Sequence, residues 1–443
     1  MLPIKTSFFL LFVGNILLSV AQTSTYSLQK AQATAKANKV QLQSDKLSTE
    51  IAQAQVKAQV FRRYPQINTS ADVKANLILP TTVIPAGVFG ADKRTVQFGQ
   101  IFNQTLGVEV NQIIYDKKLR YDTEQANLNL KLTEITRESN EEEIRAAVTK
   151  AYLNVLVNEE REKQLEASKA RLLKDKEEIV KKVEAGALVE LERKRIETSI
   201  ATTELQIEQQ KDAVRLAYQL LKFNMGLPNE TEISLADNWQ TLNDWVNTTD
   251  TKYGKFSPEI MPLHRLQRIQ ITLNENQYNR QKALLYPTLS AYGYIGVQGF
   301  SNHLRYFGND PIPWFGLSYL GLRLNWNVNT LWENGLYLPQ QELRIRQARS
   351  VLAEQEEALN LAVTQAENTT QRAAKDILIQ AENIKFAQEN LAYLKTRFEA
   401  EVVTAREVID AEADLVNYQA NELIARYNYL VALFDLRKAK GEH

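Results

Sequence analysis

Two periods of hydrophobic and polar positions run along this chain, and the pair of them is stated twice. From Gln66 to Leu79 the period is two: Ile67, Ala71, Val73, Ala75, Leu77 and Leu79 fall on one side, opposed by Gln66, Asn68, Ser70, Asp72, Lys74 and Asn76. Val96, Phe98, Phe102, Leu106, Val108 and Val110 share one parity. So do Leu322, Leu324, Trp326 and Val328, opposed by Arg323, Asn325 and Asn327. Such alternation predicts strands with one apolar and one polar face. Beyond the first strand pair the period lengthens. Leu128, Leu132 and Ile135, then Ile144, Val148, Tyr152 and Val155, recur at threes and fours, as packed coiled-coil-like helices require.

Glycine and proline punctuate the same division. Eleven of the 16 glycines lie between Gly87 and Gly107 or between Gly293 and Gly335, the windows that hold the strands. From Gly107 to Gly186, from Gly186 to Gly226 and from Pro339 to Gly441 neither residue interrupts the chain. These runs are rich in Ala, Glu, Lys, Gln, Leu and Arg, a strong summed helix propensity. A helix from about Asp116 to Glu184 would be roughly 100 Å long at 1.5 Å per residue. Between its apolar positions, charges such as Glu141-Glu142-Glu143 are expected on a solvated face.

The two halves repeat each other roughly 215 to 220 residues apart. Tyr64-Pro65-Gln66-Ile67 returns as Tyr286-Pro287-Thr288-Leu289. Val108-Glu109-Val110-Asn111 returns as Leu322-Arg323-Leu324-Asn325, and the Ala213 to Gly226 helix end as Tyr427 to Gly441. The expected organisation is a signal peptide over 1–22, a first repeat over 23–228, a connecting segment over 229–257 and a second repeat over 258–443. Each repeat carries a helix, two strands and a long helix hairpin.

Twelve aromatic residues lie between Tyr286 and Tyr337, a density that suits the interfacial girdles of a membrane barrel. A soluble antiparallel sheet with one wet face shares the alternation. Four strands cannot close a membrane barrel, for which about eight is the minimum, and an open edge is not tolerated in lipid. If the strands lie in a membrane, the chains oligomerise: two would supply eight strands and three would supply twelve. On that reading Val73, Leu77, Val108, Val110, Leu324 and Trp326 face lipid.

Composition narrows the remaining classes. Lys5 followed by the apolar run Phe8 to Leu18 and the small residues Ser19-Val20-Ala21 reads as an export signal. There is no cysteine, which removes thiolate metal sites and a Cys nucleophile. A formal net charge of zero with 24% charged residues argues against nucleic acid as a partner. The only histidines are His264, His303 and His443, without metal-ligand spacing, and there is no phosphate loop or nucleophile elbow. No enzymatic activity, catalytic residue, cofactor or metal is expected, and His264 reads as a structural residue on a helix face. A soluble periplasmic coiled-coil adaptor is the rival reading; it would share the export signal and the helices but has no use for duplicated strands with an aromatic band.

The most specific stretch is Ala425-Arg426-Tyr427-Asn428-Tyr429-Leu430 running to Ala439-Lys440-Gly441, preceded by Glu407-Val408-Ile409-Asp410-Ala411. In these residues, and over essentially its whole mature length, the chain resembles the TolC family of outer-membrane efflux proteins. The first-copy counterparts are Val183-Glu184-Ala185-Gly186-Ala187 and Met225-Gly226-Leu227-Pro228, with Tyr-Pro ahead of a strand in both copies. The resemblance implies a mainly α fold with membrane β: a homotrimer whose twelve strands form one β-barrel in the outer membrane of a Gram-negative bacterium, continuous with a periplasmic α-helical barrel. It implies outer-membrane lipid, a periplasmic adaptor and an inner-membrane RND or ABC transporter as partners. It also places helix-hairpin turns near Gly186 and around Glu401 to Thr404, and a ring of acids at a periplasmic aperture on Glu407 and Asp410. Those two positions, at i and i+3, share a helix face. At the second turn the chain departs from that resemblance, with Glu401 where the turn usually has glycine and Val403 where some members have an arginine that helps latch the turn.

Overall fold

A computed structural model describes residues 24–84, 94–97, 99–241, 256–307 and 311–442. The export segment and Phe98 lie outside the described residues. In chain order the elements are β1 (Ser24–Tyr26), α1 (Leu28–Asn38), α2 (Val40–Phe61), β2 (Gln66–Ala75), β3 (Thr81–Ile84), β4 (Arg94–Gln97), β5 (Phe102–Tyr115), α3 (Lys117–Glu184), α4 (Glu190–Met225), β6 (Ile233–Leu235), α5 (Pro262–Ala283), β7 (Thr288–Ser301), β8 (Trp314–Asn325), α6 (Thr330–Glu399) and α7 (Ala405–Lys440). Helices α3 and α6 run uninterrupted for 68 and 70 residues. No described helix is long and apolar enough to cross a membrane. The chain forms two compact units, and each takes segments from both sequence repeats.

One unit comprises Ser44–Ser139 and Pro258–Asn360. Its centre is a four-stranded antiparallel sheet in the order β2-β5-β7-β8, in which the strand pair of the first copy is joined to that of the second through β5 and β7. The short hairpin β3-β4 between β2 and β5 is a separate two-stranded piece. Helix α3 starts where Asp116 accepts from the backbone N–H groups of Lys118 and Leu119 at 2.9 and 3.3 Å, satisfying donors that the first turn leaves open. Helix α6 starts at Thr330, upstream of the Gly- and Pro-free run that begins after Pro339. Pro339 sits inside it and forgoes one backbone hydrogen bond. The early start is held from outside the helix: Thr330 donates to the carbonyls of Asn327 and Leu284, and Asn334 exchanges hydrogen bonds with Gln281. His264 is buried on α5 with its Nε2 2.9 Å from Glu356 Oε1, a structural link between α5 and α6.

The other unit comprises Met1–Gln43, Asn140–Ser257 and Leu361–His443. Its largest core gathers Val148, Tyr152, Leu153, Val155 and Leu156 of α3 with Ala31 and Ala35 of α1, Leu221 and Met225 of α4 and Leu430 of α7. Of the α3 positions anticipated from the threes and fours, Val148, Tyr152 and Val155 are fully buried here. The segment after α4 forms strand β6, which pairs in parallel with β1 near the other end of the chain. The Tyr152 hydroxyl donates to Asp237 Oδ2 at 2.6 Å and lies 2.9 Å from the Tyr26 carbonyl. Burial first, and the neighbouring carboxylate second, push its pKa far above the usual phenol value. Glu141-Glu142-Glu143 is less uniformly solvated than expected, because Glu141 pairs with Lys36 of α1 and Arg145. Helices α4 and α7 both stop at a left-handed glycine, Gly226 and Gly441. At Gly226 a Cβ would lie 2.9 Å from the Asn38 carbonyl carbon, so close packing as well as φ requires glycine.

Candidate functional site

Two hairpin turns in the second of these units lie side by side. After α3, Gly186 N–H bonds to the Val183 carbonyl and Ala187 N–H to that of Lys182, with Gly186 at φ 76°. After α6 the same bonds recur, from Glu401 to Phe398 and from Val402 to Arg397, with Glu401 at φ 58°. Glu401 is the one non-glycine residue with positive φ among the described residues. The left-handed region costs a residue with a Cβ about 1–2 kcal/mol. The turns are tied together by Lys182, whose ammonium donates to the Phe398 carbonyl at 3.0 Å and sits 4.2 Å above the Phe398 ring. Val403 packs on the core formed by Phe398, Ala405 and Val408.

Glu407 and Asp410 follow in the first two turns of α7 and are both exposed. Glu407 Oε1 accepts from the backbone N–H and hydroxyl of Thr404, at 3.2 and 3.0 Å, which makes it the return half of a capping box. Asp410 accepts from Arg406 at 3.4 Å with both side chains about two-thirds exposed, a weak surface pair. The opposite face of α7 buries Val408, Ala411 and Leu415. On that face lies Glu412, 1% exposed, which accepts from Arg171 Nε at 2.7 Å and from Ser168 Oγ at 3.0 Å of α3. Sequence reasoning passed over Glu412. Its signal was its place in the 408, 411, 412, 415 stripe, where a carboxylate falls on the buried spacing. Beside it opens a groove of about 540 Å³ whose lining includes Leu172, Arg195, Arg406, Ile409, Asp410 and Glu412.

The sheet of the other unit has the chemistry of two different solvents on its two faces. Register places Ile67, Ala71 and Val73 of β2, Leu106, Val108 and Val110 of β5, Ile295 and Val297 of β7, and Leu320, Leu322 and Leu324 of β8 on one face. Ile67, Ile295, Leu320, Leu322 and Leu324 are each more than two-thirds exposed. Asn68, Ser70, Asp72, Lys74, Thr105, Glu109, Asn111, Tyr292, Tyr294, Tyr319 and Arg323 lie on the other face, which turns apolar at Phe300, Phe315 and Leu317 toward one end of β7 and β8. Two residues expected on the apolar strands lie past their ends. Leu77 is in the bend after β2, where the strand stops at Ala75, and Trp326 follows β8, with its indole N–H donating to the Leu285 carbonyl at 3.2 Å. The Asn76 backbone N–H still donates to the Ile101 carbonyl at 2.7 Å, one step past the last strand pair, and the side chains of Asn76 and Trp326 hold the adjoining loops by donating to the Gln100 and Leu285 carbonyls.

Residues 265–442, nearly all of the second repeat, match the family model described as outer membrane efflux protein. No curated protein matches the chain by sequence. Solved structures with the same fold include CusC, with a TM-score of 0.74 at 16% identity over 95% of this chain and 94% of that one. The MtrE outer membrane channel of Neisseria gonorrhoeae has a TM-score of 0.73 at 17% identity, over 94% and 89%. The outer membrane protein VceC of Vibrio cholerae has 0.71 at 15%, over 94% and 96%. At these identities the structural likeness establishes the fold, strand pairs followed by long helix hairpins, over nearly the whole chain.

Proposed function

We propose, from the match of residues 265–442 to the outer membrane efflux protein family model and from the fold, that this chain is one protomer of a trimeric channel-tunnel. It stands in the outer membrane, reaches into the periplasm, and gives an inner-membrane efflux or secretion pump its exit. The protein is a passive duct and not an enzyme. The soluble adaptor reading is disfavoured, since the family match and the fold both belong to outer-membrane channels.

The observation that carries this reading is the sheet. Among the described residues the four strands end in two edges without a further partner strand, β2 and β8, and one face is broadly apolar and exposed. Lipid accepts such a face but not such edges, so copies of the chain close the barrel edge to edge. Three copies, the number implied by the family, supply twelve strands. The polar face then lines water. The Glu407 and Asp410 carboxylates, exposed at the start of α7, are assigned to the periplasmic aperture, where three copies place six acids around one axis and favour cations. A periplasmic adaptor and an RND or ABC transporter complete the pathway.

Three outcomes test it. Solubilised protein is expected to run as a trimer, and a monodisperse monomer that still conducts in planar bilayers would refute the assembly. Val73→Arg is expected to block membrane assembly at a cost of about 2 to 4 kcal/mol near the midplane, whereas Asp72→Asn is tolerated; equal tolerance sinks the face assignment. Replacing Glu407 and Asp410 together by Ala is expected to lower cation preference, read as the single-channel reversal potential in a salt gradient. An unchanged potential removes them from the aperture.

A further inference from the structure

The polar face of the sheet differs between its two halves. On the first-copy strands β2 and β5 it carries Asn68, Ser70, Asp72, Lys74, Thr105 and Glu109; on β7 and β8 it carries three tyrosines and Arg323. The two chemistries meet in one cross-strand row. Asn68 pairs with Glu109, Glu109 with Tyr294, and Tyr294 with Tyr319. The Tyr294 and Tyr319 rings are stacked, 5.2 Å between centroids and 13° between planes, and Tyr292 meets Tyr319 edge-on at 6.0 Å.

Glycines hold this cluster close to the backbone. A Cβ on Gly107 would lie 2.2 Å from the Tyr294 hydroxyl, and one on Gly296 2.7 Å from it, so the ring lies flat over both. Gly321 admits Tyr292 in the same way. Tyr319 is left half exposed, with Glu109 on the far side of its stacked partner. Glu109 forms no ion pair with another described residue. Two rows away the Arg323 guanidinium sits 4.5 Å above the Tyr292 ring, so one cation already rests on an aromatic face of this cluster.

From this row we infer a binding station for flat organic cations, in which the ligand ring stacks on the exposed Tyr319 and the Glu109 carboxylate in the same row attracts its charge. The inference rests on the proposed function, which puts this face in the aqueous lumen. Both attractions favour the same ligand class, because a tyrosine face and a carboxylate each attract positive charge while only the ring rewards a flat aromatic one. A small hydrated cation gains the charge term alone. Anions are repelled by Glu109, and Arg323 is occupied.

The test uses the full chain in phosphatidylcholine nanodiscs with ethidium as the probe, followed by fluorescence anisotropy against empty nanodiscs. Saturable binding above the empty-disc signal is expected. Glu109→Gln and Tyr319→Leu should each weaken it about three- to tenfold, the range of a cation–aromatic contact. Arg323→Gln should tighten it by removing a competing charge, and Lys74→Gln, rows away on β2, should leave it unchanged. Binding indistinguishable from empty discs, or wild-type affinity in both the Glu109 and the Tyr319 variants, overturns the inference. A trimer that conducts but does not bind sinks the station and leaves the channel standing. A monomer that binds keeps the station and sinks the trimer.

Discussion

The two hairpin turns share a backbone and differ in what they present. Gly186 and Glu401 occupy equivalent left-handed positions with the same two hydrogen bonds, and the helices that follow, α4 and α7, are both 36 residues long and end at left-handed glycines. In the first turn the helix begins after Val189, which caps nothing, and Glu192 is buried and paired with Arg195 at 2.7 Å. In the second it begins after Thr404, Glu407 closes a capping box, and Asp410 stands where Arg195 stands in the first. One copy has neutralised its acid; the other displays two. The two hairpins share one scaffold and differ at matching positions: Glu192 is buried against Arg195 in the first, whereas Glu407 and Asp410 are exposed in the second.

Equivalent glutamates provide the largest test of that contrast. Glu412 of α7 is buried against Arg171 and Ser168, whereas its first-copy counterpart Glu197 of α4 makes an exposed pair with Lys176 at 3.1 Å. Glu412→Ala leaves Arg171 without its partner and is expected to cost about 3 kcal/mol; Glu197→Ala should stay within about 1 kcal/mol. Thermal unfolding of the solubilised protein reads both, and equal losses would mean that burial does not separate the two hairpins.

Backbone strain gives a smaller difference of opposite sign. Gly186→Ala forces a Cβ into the left-handed region and should destabilise by about 1 kcal/mol. Glu401→Gly relieves such strain but frees the unfolded chain, so it should stabilise by at most roughly half as much. The same unfolding assay checks the signs, and destabilisation by Glu401→Gly would show that the Glu401 side chain contributes more than its φ costs.

Capping ranks next. Thr404→Ala should lose about 1 kcal/mol. Val189→Thr should gain less than that, because Glu192, the residue that would complete the box, is held by Arg195. A gain as large as the loss would show that the Glu192 pair yields easily. The smallest expected effect is Asp410→Ala, within about 0.5 kcal/mol of wild type, since its pair with Arg406 is exposed. Stability unchanged while the reversal potential moves would separate Asp410's electrostatic role from any structural one.

Much of this molecule was legible without coordinates because the information was periodic. The alternation in β2, β5 and β8 identified the two faces, and the Gly- and Pro-free runs located α3 and α4 to within a few residues, since strand parity and helix propensity are local and repeat many times. The same locality misplaced the ends. Leu77 and Trp326 keep the parity of their strands but lie beyond the last paired residues, Ala75 and Asn325, because parity does not register where a partner strand ends. Helix α6 passes through Pro339 because side chains distant in sequence hold its first turns.

What the sequence determined by itself was therefore the duplicated order of strands and helices, the amphipathic faces, and the acids at the start of α7. Tertiary structure decided which charges are spent. Glu412, Glu192 and Glu407 look alike in the sequence, yet one is clamped by Arg171 and Ser168, one is paired on its own helix and one closes a cap. It also decided that Glu109 lies beside the tyrosine pair, a neighbour supplied by the join between β5 and β7 and so by residues far apart in the chain. Period and propensity act between near neighbours and can be read one residue after another, whereas pairing of charge and stacking of rings depend on a three-dimensional register that no local pattern encodes.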